Sequence, residues 1–357
     1  MNLRSMRTVR NAAYFGIGLV AAMAAPDAFV GKRLRGFRGK VVVITGASRG
    51  LGLAMAEELA RRGARLALVA RDEFELDRAR RKLLENSDGK NADGDLFAIA
   101  ADLRKRDQAE AMIAKATSRF GRVDVLINNA GVITVGPLEN QTVEDFEEVM
   151  DSNFFTGLYC TMAVLPQMLE RGDGAIANIT SIGGKVAVPH LLPYTASKFA
   201  AVGFSEGLAM EMRTKGVRVT TVVPGLMRTG SHRNALFKGD AEREYRWFSL
   251  GASLPGVSIA AHRAARQIVN GIEDGCEEVT ITPQAMLVSR LANVSPEVTH
   301  ALMRGMNALL PKAEAETREP RRGEEVKQQE LFPLTAFGTR AARKYNQAQT
   351  VADAGAA

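Results

Sequence analysis

The chain has 357 residues, 46% of them hydrophobic and 24% charged, which excludes wholesale disorder and fibrous repeats and allows one large domain or two small ones. Its two cysteines, Cys160 and Cys276, lie far apart with no CxxC spacing, so a disulfide framework is excluded and a reducing, cytoplasmic setting is favoured. The net charge of +7 sits wholly in residues 1–40, which carry eight Lys/Arg and one Asp and leave 39 charges of each sign elsewhere. A body without net charge lacks the basic face that nucleic acid requires, so no nucleic-acid partner is expected. The four histidines show no metal-ligand spacing, and no metal is expected.

In chain order, residues 1–38 form an arm. Arg4, Arg7 and Arg10 precede an uncharged, mostly apolar run of 14 residues at 12–25, and five basic residues from Lys32 to Lys40 follow. As a helix the run spans about 21 Å, short of a ~30 Å hydrocarbon core. Three readings fit: a helix lying on a membrane surface with the body facing the cytosol, a cleaved signal segment ending near Ala22-Met23-Ala24, and an arm packed on the body.

From residue 39 the pattern alternates. Short apolar, often β-branched runs at 41–45, 65–70, 96–100, 123–128, 175–180, 217–223 and 278–282 read as strands. Helical patterns lie between them, at 50–62, 73–85, 107–120, from Thr142 to about 170, 195–214 and 259–273. The alternation predicts an α/β fold: a single doubly wound, parallel, seven-stranded Rossmann-like sheet with helices on both faces, over 39–283. Residues 284–310 read as a helical extension broken at Pro296. Residues 311–357 hold few large apolar side chains and are expected to be mostly disordered.

The first strand runs into Thr45-Gly46-Ala47-Ser48-Arg49-Gly50-Leu51-Gly52 and then a helix. Glycines let the backbone approach a pyrophosphate, and the helix start supplies free N–H groups. The second strand ends at Ala70-Arg71-Asp72, without the terminal carboxylate that holds a ribose 2′-hydroxyl. Arg49 and Arg71 suit a 2′-phosphate, which points to NADP(H), although Asp72 is placed to pair with Arg71.

Tyr194 and Lys198, four apart near a helix start, share one face. A neighbouring ammonium favours phenolate and suits Tyr194 to acid–base work. Ser181 ends a strand upstream, where its hydroxyl can polarise a carbonyl. Asn153 lies within the long helix from Thr142, where an amide is a poor helix former.

The ordered set Thr45-Gly46-x-x-x-Gly50-x-Gly52, Asp102, Asn128-Asn129-Ala130-Gly131, Asn153, Ser181, Tyr194-x-x-x-Lys198 and Pro224-Gly225 resembles the short-chain dehydrogenase/reductase family, in its simple one-domain branch. The resemblance covers about 39–283. It implies that Gly46, Ser48, Arg49, Gly50, Leu51 and Gly52 line the pyrophosphate and ribose, that Arg71 sits at the 2′-phosphate and that Asp102 bonds the adenine. It further implies that Asn129 and Ala130 lie along the adenine ribose, with Pro224, Gly225 and Thr229 near the carboxamide end. Tyr194 would be the proton donor, with its pKa lowered by Lys198, which also holds the nicotinamide ribose. Ser181 would orient the carbonyl, and Asn153 would position a relay water. The family's members often form dimers or tetramers, so a homo-oligomer is an expectation of the same kind.

The segment 226–252 is long for a connection and reads as a substrate lid, with Leu226, Met227, Leu236, Phe237, Tyr245, Trp247, Phe248 and Leu250 available to face an apolar ligand. Val186, Val188, Leu191 and Leu192 are expected on the same side. His190 reads as a solvated loop histidine. The expected activity is hydride transfer between NADP(H) and a carbonyl or secondary alcohol of a bulky apolar substrate. The alternative is a membrane-associated NADP-binding protein without turnover.

Overall fold

The computed structural model describes residues 34, 36–86, 93–254, 256–313, 318–326 and 336–347. The basic and apolar arm, from residue 1 to 33, lies outside the described residues. Seven strands form the main sheet: β1 (Val41–Thr45), β2 (Arg65–Ala70), β3 (Leu96–Ala100), β4 (Val125–Asn128), β5 (Gly174–Ile179), β6 (Val217–Pro224) and β7 (Glu278–Ile281). Their order is β3-β2-β1-β4-β5-β6-β7, and every pairing is parallel. Val42 faces Leu66 on one side and Val125 on the other. β1, β4 and β5 are buried along their whole length, as apolar runs without alternation demand.

Helices cover both faces. α1 (Gly50–Arg61), α2 (Glu73–Glu85) and α8 (Ala261–Asp274) enclose one core around Leu53, Leu59, Leu76 and Ile268. α3 (Arg106–Phe120), α5 (Thr156–Arg171) and α6 (Leu192–Met212) enclose the other around Met112, Val164 and Met212. α3 stops at Gly121, whose φ of 86° is left-handed and suits a residue without Cβ. α4 (Val143–Met150) opens with a capping box: Thr142 N–H donates to Asp145 Oδ2 at 2.7 Å. α7 (Ala241–Ser253) and the hairpin α9 (Pro283–Val294) with α10 (Pro296–Asn307) follow the sheet.

The expectation of a disordered tail is corrected in part. Arg321–Arg322 pairs antiparallel with Leu236–Phe237, and α11 (Ala336–Lys344) rests on the body. Close packing of small residues holds it: Ala342 is fully buried, and a Cβ on Gly230 would come within 2.4 Å of the Ala342 Cα. No helix among the described residues is long and apolar enough to cross a membrane.

His232 is 3% exposed and packs edge-on against Tyr245, with ring centroids 5.8 Å apart. Burial, with the Arg233 charge adding, pushes its pKa from 6.5 down to about 4. The unfolded chain therefore takes up the proton first, and stability present above about pH 6.5 is lost as the pH falls towards about 4. That loss is expected to reach on the order of 2–3 kcal/mol. Urea unfolding of His232→Gln across this range should show a flatter pH dependence than the wild type; equal slopes would place the acid sensitivity elsewhere.

Candidate active site

The strand order reverses between β1 and β4, and their carboxyl ends open the crevice where such sheets bind ligands. The two loops there are laced together. Thr45 Oγ1 accepts from the Asn129 and Ala130 amides at 2.9 and 3.0 Å, and Asn129 Nδ2 donates to the Thr45 and Gly46 carbonyls. Gly46 has φ 63°, and a Cβ there would lie 2.9 Å from the Ala130 Cα. A Cβ on Gly52 would lie 2.0 Å from the Gly46 oxygen. The glycines thus let the first turn of α1 fold onto the turn that precedes it.

Several side chains at this end have partners that lie far off in sequence. Arg49 Nη1 donates to Glu75 Oε1 at 3.0 Å and to Asn234 Oδ1 at 2.9 Å, and Ser48 Oγ donates to Glu75 Oε2 at 2.9 Å. Asp102 is gripped by Arg104, with Nη2 2.7 Å from Oδ2, and this bond chiefly holds its carboxyl below the usual range. Asp72 caps α2 by accepting the Glu75 amide at 2.9 Å. Arg71 is exposed on the cleft wall beside Ala70 and Asp72.

The tail also reaches this turn. The Gly50 N–H donates to the Tyr345 carbonyl at 2.8 Å, Asn346 Nδ2 donates to the Ser48 carbonyl at 3.2 Å, and Gln347 lines the cleft. Leu53 N–H is bonded back to the Arg49 carbonyl, so the amides of Leu51 and Gly52 lie ahead of that first intrahelical bond. Glu75, Asn234, Asn346 and Gln347 reach this end of the cleft through tertiary packing, which no local pattern marks, and Arg104, two residues after Asp102, belongs to no motif.

At the other end, α6 carries Tyr194 and Lys198, and Ser181 follows β5. Lys198 is 5% exposed; its Nζ donates to the Ile179 carbonyl at 3.0 Å and lies 5.7 Å from the centre of the Tyr194 ring. Burial pushes the ammonium from 10.5 down to about 8. Tyr194 departs from the expectation of a lowered pKa. Burial raises it, with the facing Ser181 hydroxyl working the other way, so in the free protein the phenol is held protonated. Ser181 Oγ also accepts the Gly183 amide at 3.0 Å.

Asn153 does not sit in an uninterrupted α-helix. Between α4 and α5 the residues Asp151–Phe155 make a π-helical turn, a feature that recurs at functional sites. The extra residue turns the amide inward. Its Oδ1 accepts the Val132 N–H at 2.7 Å, and its Nδ2 donates to the Val132 carbonyl at 3.1 Å and to Ser197 Oγ at 3.0 Å. The side chain therefore ties the loop after β4 to the helix carrying Tyr194.

One cleft of about 920 Å3 takes in both ends, from Gly46, Ser48, Arg71 and Asp102 to Asn153, Ser181, Tyr194, Lys198, Pro224, Gly225 and Thr229. Its apolar wall includes Val188, Leu191, Leu226, Met227, Trp247, Phe248 and, from α10, Met306. The segment expected as a lid is largely ordered structure. Phe237 and Tyr245 are buried with Val135, Leu191 and Val326 in a small core of their own, and Val186 and Leu192 are not on the cleft wall. His190 is not solvated: its side chain is 8% exposed and Nδ1 lies 2.7 Å from Glu244 Oε1.

Residues 40–238 match the family model described as short chain dehydrogenase. The SadH protein of Mycobacterium tuberculosis is 35% identical over 262 residues, which cover 72% of this chain and 91% of that one. A short-chain dehydrogenase/reductase from Burkholderia phymatum, solved in complex with NAD, is 26% identical with a TM-score of 0.66 over 74% of this chain and 96% of that one. A short-chain dehydrogenase from Burkholderia cenocepacia, solved with NADP, is 27% identical with a TM-score of 0.59 over 75% of this chain and 98% of that one.

Proposed function

Because the chain belongs to the short-chain dehydrogenase/reductase family, we propose that it is an NADP(H)-dependent oxidoreductase that interconverts a carbonyl and a secondary alcohol on a bulky, apolar substrate. The observation that carries the reading is the convergence of Tyr194, Ser181, Lys198 and the glycine-rich turn on one cleft. The dinucleotide fits the residues present: glycines where a Cβ would close the turn, amides at the start of α1, and arginines at the far end. When bound it supplies the hydride.

The chain's own groups do the rest. In the reducing direction the Tyr194 phenol gives its proton to the carbonyl oxygen, and the Ser181 hydroxyl orients that oxygen. The buried Lys198 ammonium, held on the Ile179 carbonyl, biases the phenol towards releasing its proton once the cleft is filled. Asn153 keeps the loop after β4 and α6 in fixed register. The apolar wall formed by Trp247, Phe248, Leu226 and Met306 excludes water and favours a bulky substrate. Reduction of acetophenone, decanal and androstenedione with NADPH, followed by the loss of NADPH absorbance, tests the reading. NADPH binding with no turnover of any of them would favour a binding protein on the same fold.

Cofactor choice rests on the arginines. Arg49 is drawn to Glu75, which leaves Arg71 as the group best placed for a 2′-phosphate. A charge-assisted bond contributes roughly 1.5–3 kcal/mol, or about ten- to a hundredfold. Arg71→Ala is expected to weaken NADPH binding by that factor and leave NADH nearly unchanged, as measured by fluorescence titration. Equal losses for the two cofactors would remove Arg71 from this role.

Residues 1–40 suit attachment to an anionic membrane surface, because each basic group near such a surface contributes roughly 1 kcal/mol. Full-length protein should float with phosphatidylserine liposomes and lose this at high salt, and a chain starting at Arg38 should stay behind. Equal behaviour of the two would remove the proposal.

A further inference from the structure

A carboxylate lies on the apolar side of the cleft, where none is expected. Glu244, in the first turn of α7, is 0% exposed. Burying a charge is costly unless each oxygen finds a donor, and here each does. Oε2 accepts the Trp247 indole N–H at 2.6 Å, and Oε1 lies 2.7 Å from His190 Nδ1. The three residues come from two places: Glu244 and Trp247 from α7, and His190 from the loop that ends at α6, four residues before Tyr194.

His190 has φ 62°, a left-handed conformation uncommon in residues other than glycine. Its carbonyl accepts the Gly136 amide at 2.8 Å, so the strained residue is held from both its backbone and its ring. Strain of this kind persists only where the surroundings over-determine it, and it collects at ligand clamps. On either side of His190, Val188 and Leu191 line the cleft; so does Trp247. The buried carboxylate thus joins two segments of the apolar lining, α7 and the turn four residues before Tyr194.

We propose that Glu244 is a positioning residue for substrate: by holding the Trp247 indole and the His190 turn as one unit, it sets the width of the apolar half of the cleft and so the fit of a bulky carbonyl. The proposal rests on the oxidoreductase reading for its consequence in catalysis, but not for its structural claim. Glu244 touches neither Tyr194 nor Lys198 in the described hydrogen bonding, so its loss acts on binding rather than on proton transfer.

The test uses full-length protein and the fact that Trp247 is the only tryptophan. Glu244→Met keeps the length of the side chain and removes both acceptors; an apolar replacement for a buried charge commonly leaves a fold stable. Acrylamide quenching of Trp247 is expected to increase clearly over wild type in the ligand-free protein. With NADPH and whichever of acetophenone, decanal and androstenedione is reduced fastest, KM is expected to rise about tenfold while kcat changes little, the scale of a lost charge-assisted bond. Glu244→Gln should recover most of both effects, since its amide oxygen can accept from Trp247 while its NH2 donates to the other imidazole tautomer. If Glu244→Met does not fold, His190→Asn decides: asparagine tolerates the left-handed backbone, and the same two readouts should move in the same direction by less. Wild-type quenching and KM in the folded variant would overturn the proposal, as would a fall in kcat at unchanged KM. If no carbonyl is reduced by the wild type, the function fails and the quenching comparison still decides whether Glu244 holds Trp247 in place.

Discussion

Tyr194→Phe is expected to lose turnover by about 10²–10⁴-fold, the usual contribution of a general acid–base group, while NADPH still binds. The ring is retained, so the packing of α6 against the cleft should persist and the melting temperature should hardly move. The free-protein phenol is kept protonated by burial, which suits it to donate in the reducing direction. Steady-state rates and NADPH titration on the same preparation separate the two effects. Near-normal turnover in the variant would remove Tyr194 from the chemistry; loss of cofactor binding along with turnover would show that it acts through the fold of the cleft.

Lys198→Met is expected to show function and stability moving in opposite directions. Turnover should fall by at least about a hundredfold, because the phenol loses its neighbouring ammonium. Stability near neutral pH should rise. Lys198 is 5% exposed, its ammonium donates to the Ile179 carbonyl, and its pKa is pushed from 10.5 down to about 8. Below about pH 8 both folded and unfolded chains carry the proton, and the folded one bears the full cost of burying it. Between about pH 8 and 10.5 the folded chain releases it first, so wild-type stability rises with pH. The variant carries no such penalty. Its advantage, on the order of 2–3 kcal/mol near pH 7, should shrink as the pH approaches 10. Urea unfolding at both ends of this range checks it, and a variant less stable than wild type at pH 7 would show that the lysine bond to Ile179 outweighs its desolvation. Such an exchange of stability for activity is common at catalytic sites.

Much of the fold is legible in the sequence because its information is local. Val41–Thr45 is a β-branched, apolar run closed by Gly46, and Leu66–Ala70 is an apolar run that follows the helix-ending Gly63. The glycine-rich turn and the Tyr194/Lys198 pair are legible for the same reason, being short spacings with a mechanism. The π-helical turn at Asn153 is not, because one extra residue in a helix leaves no mark on periodicity; the only trace was an amide in an unfavourable place. A count of large apolar residues misses the order of the tail. It is held instead by alanine against glycine, as at Ala342 and Gly230, and by polar contacts such as Asn346 with Ser48. Glu75 beneath Arg49, and Glu244 between His190 and Trp247, depend on residues 26 and 54 positions apart in one case each. No pattern in a single sequence joins them.

The step proposed for this cleft is hydride transfer between a nicotinamide and a carbonyl carbon with Tyr194 as proton donor. The most direct measurement is transfer of deuterium to a ketone from NADPH carrying deuterium at both nicotinamide C4 positions, analysed by mass spectrometry of the alcohol. One deuterium on the carbinol carbon is expected for each cofactor oxidised, and its loss in Tyr194→Phe. Alcohol formed without deuterium, or a wild-type protein that binds NADPH and reduces none of the carbonyls offered, would contradict it.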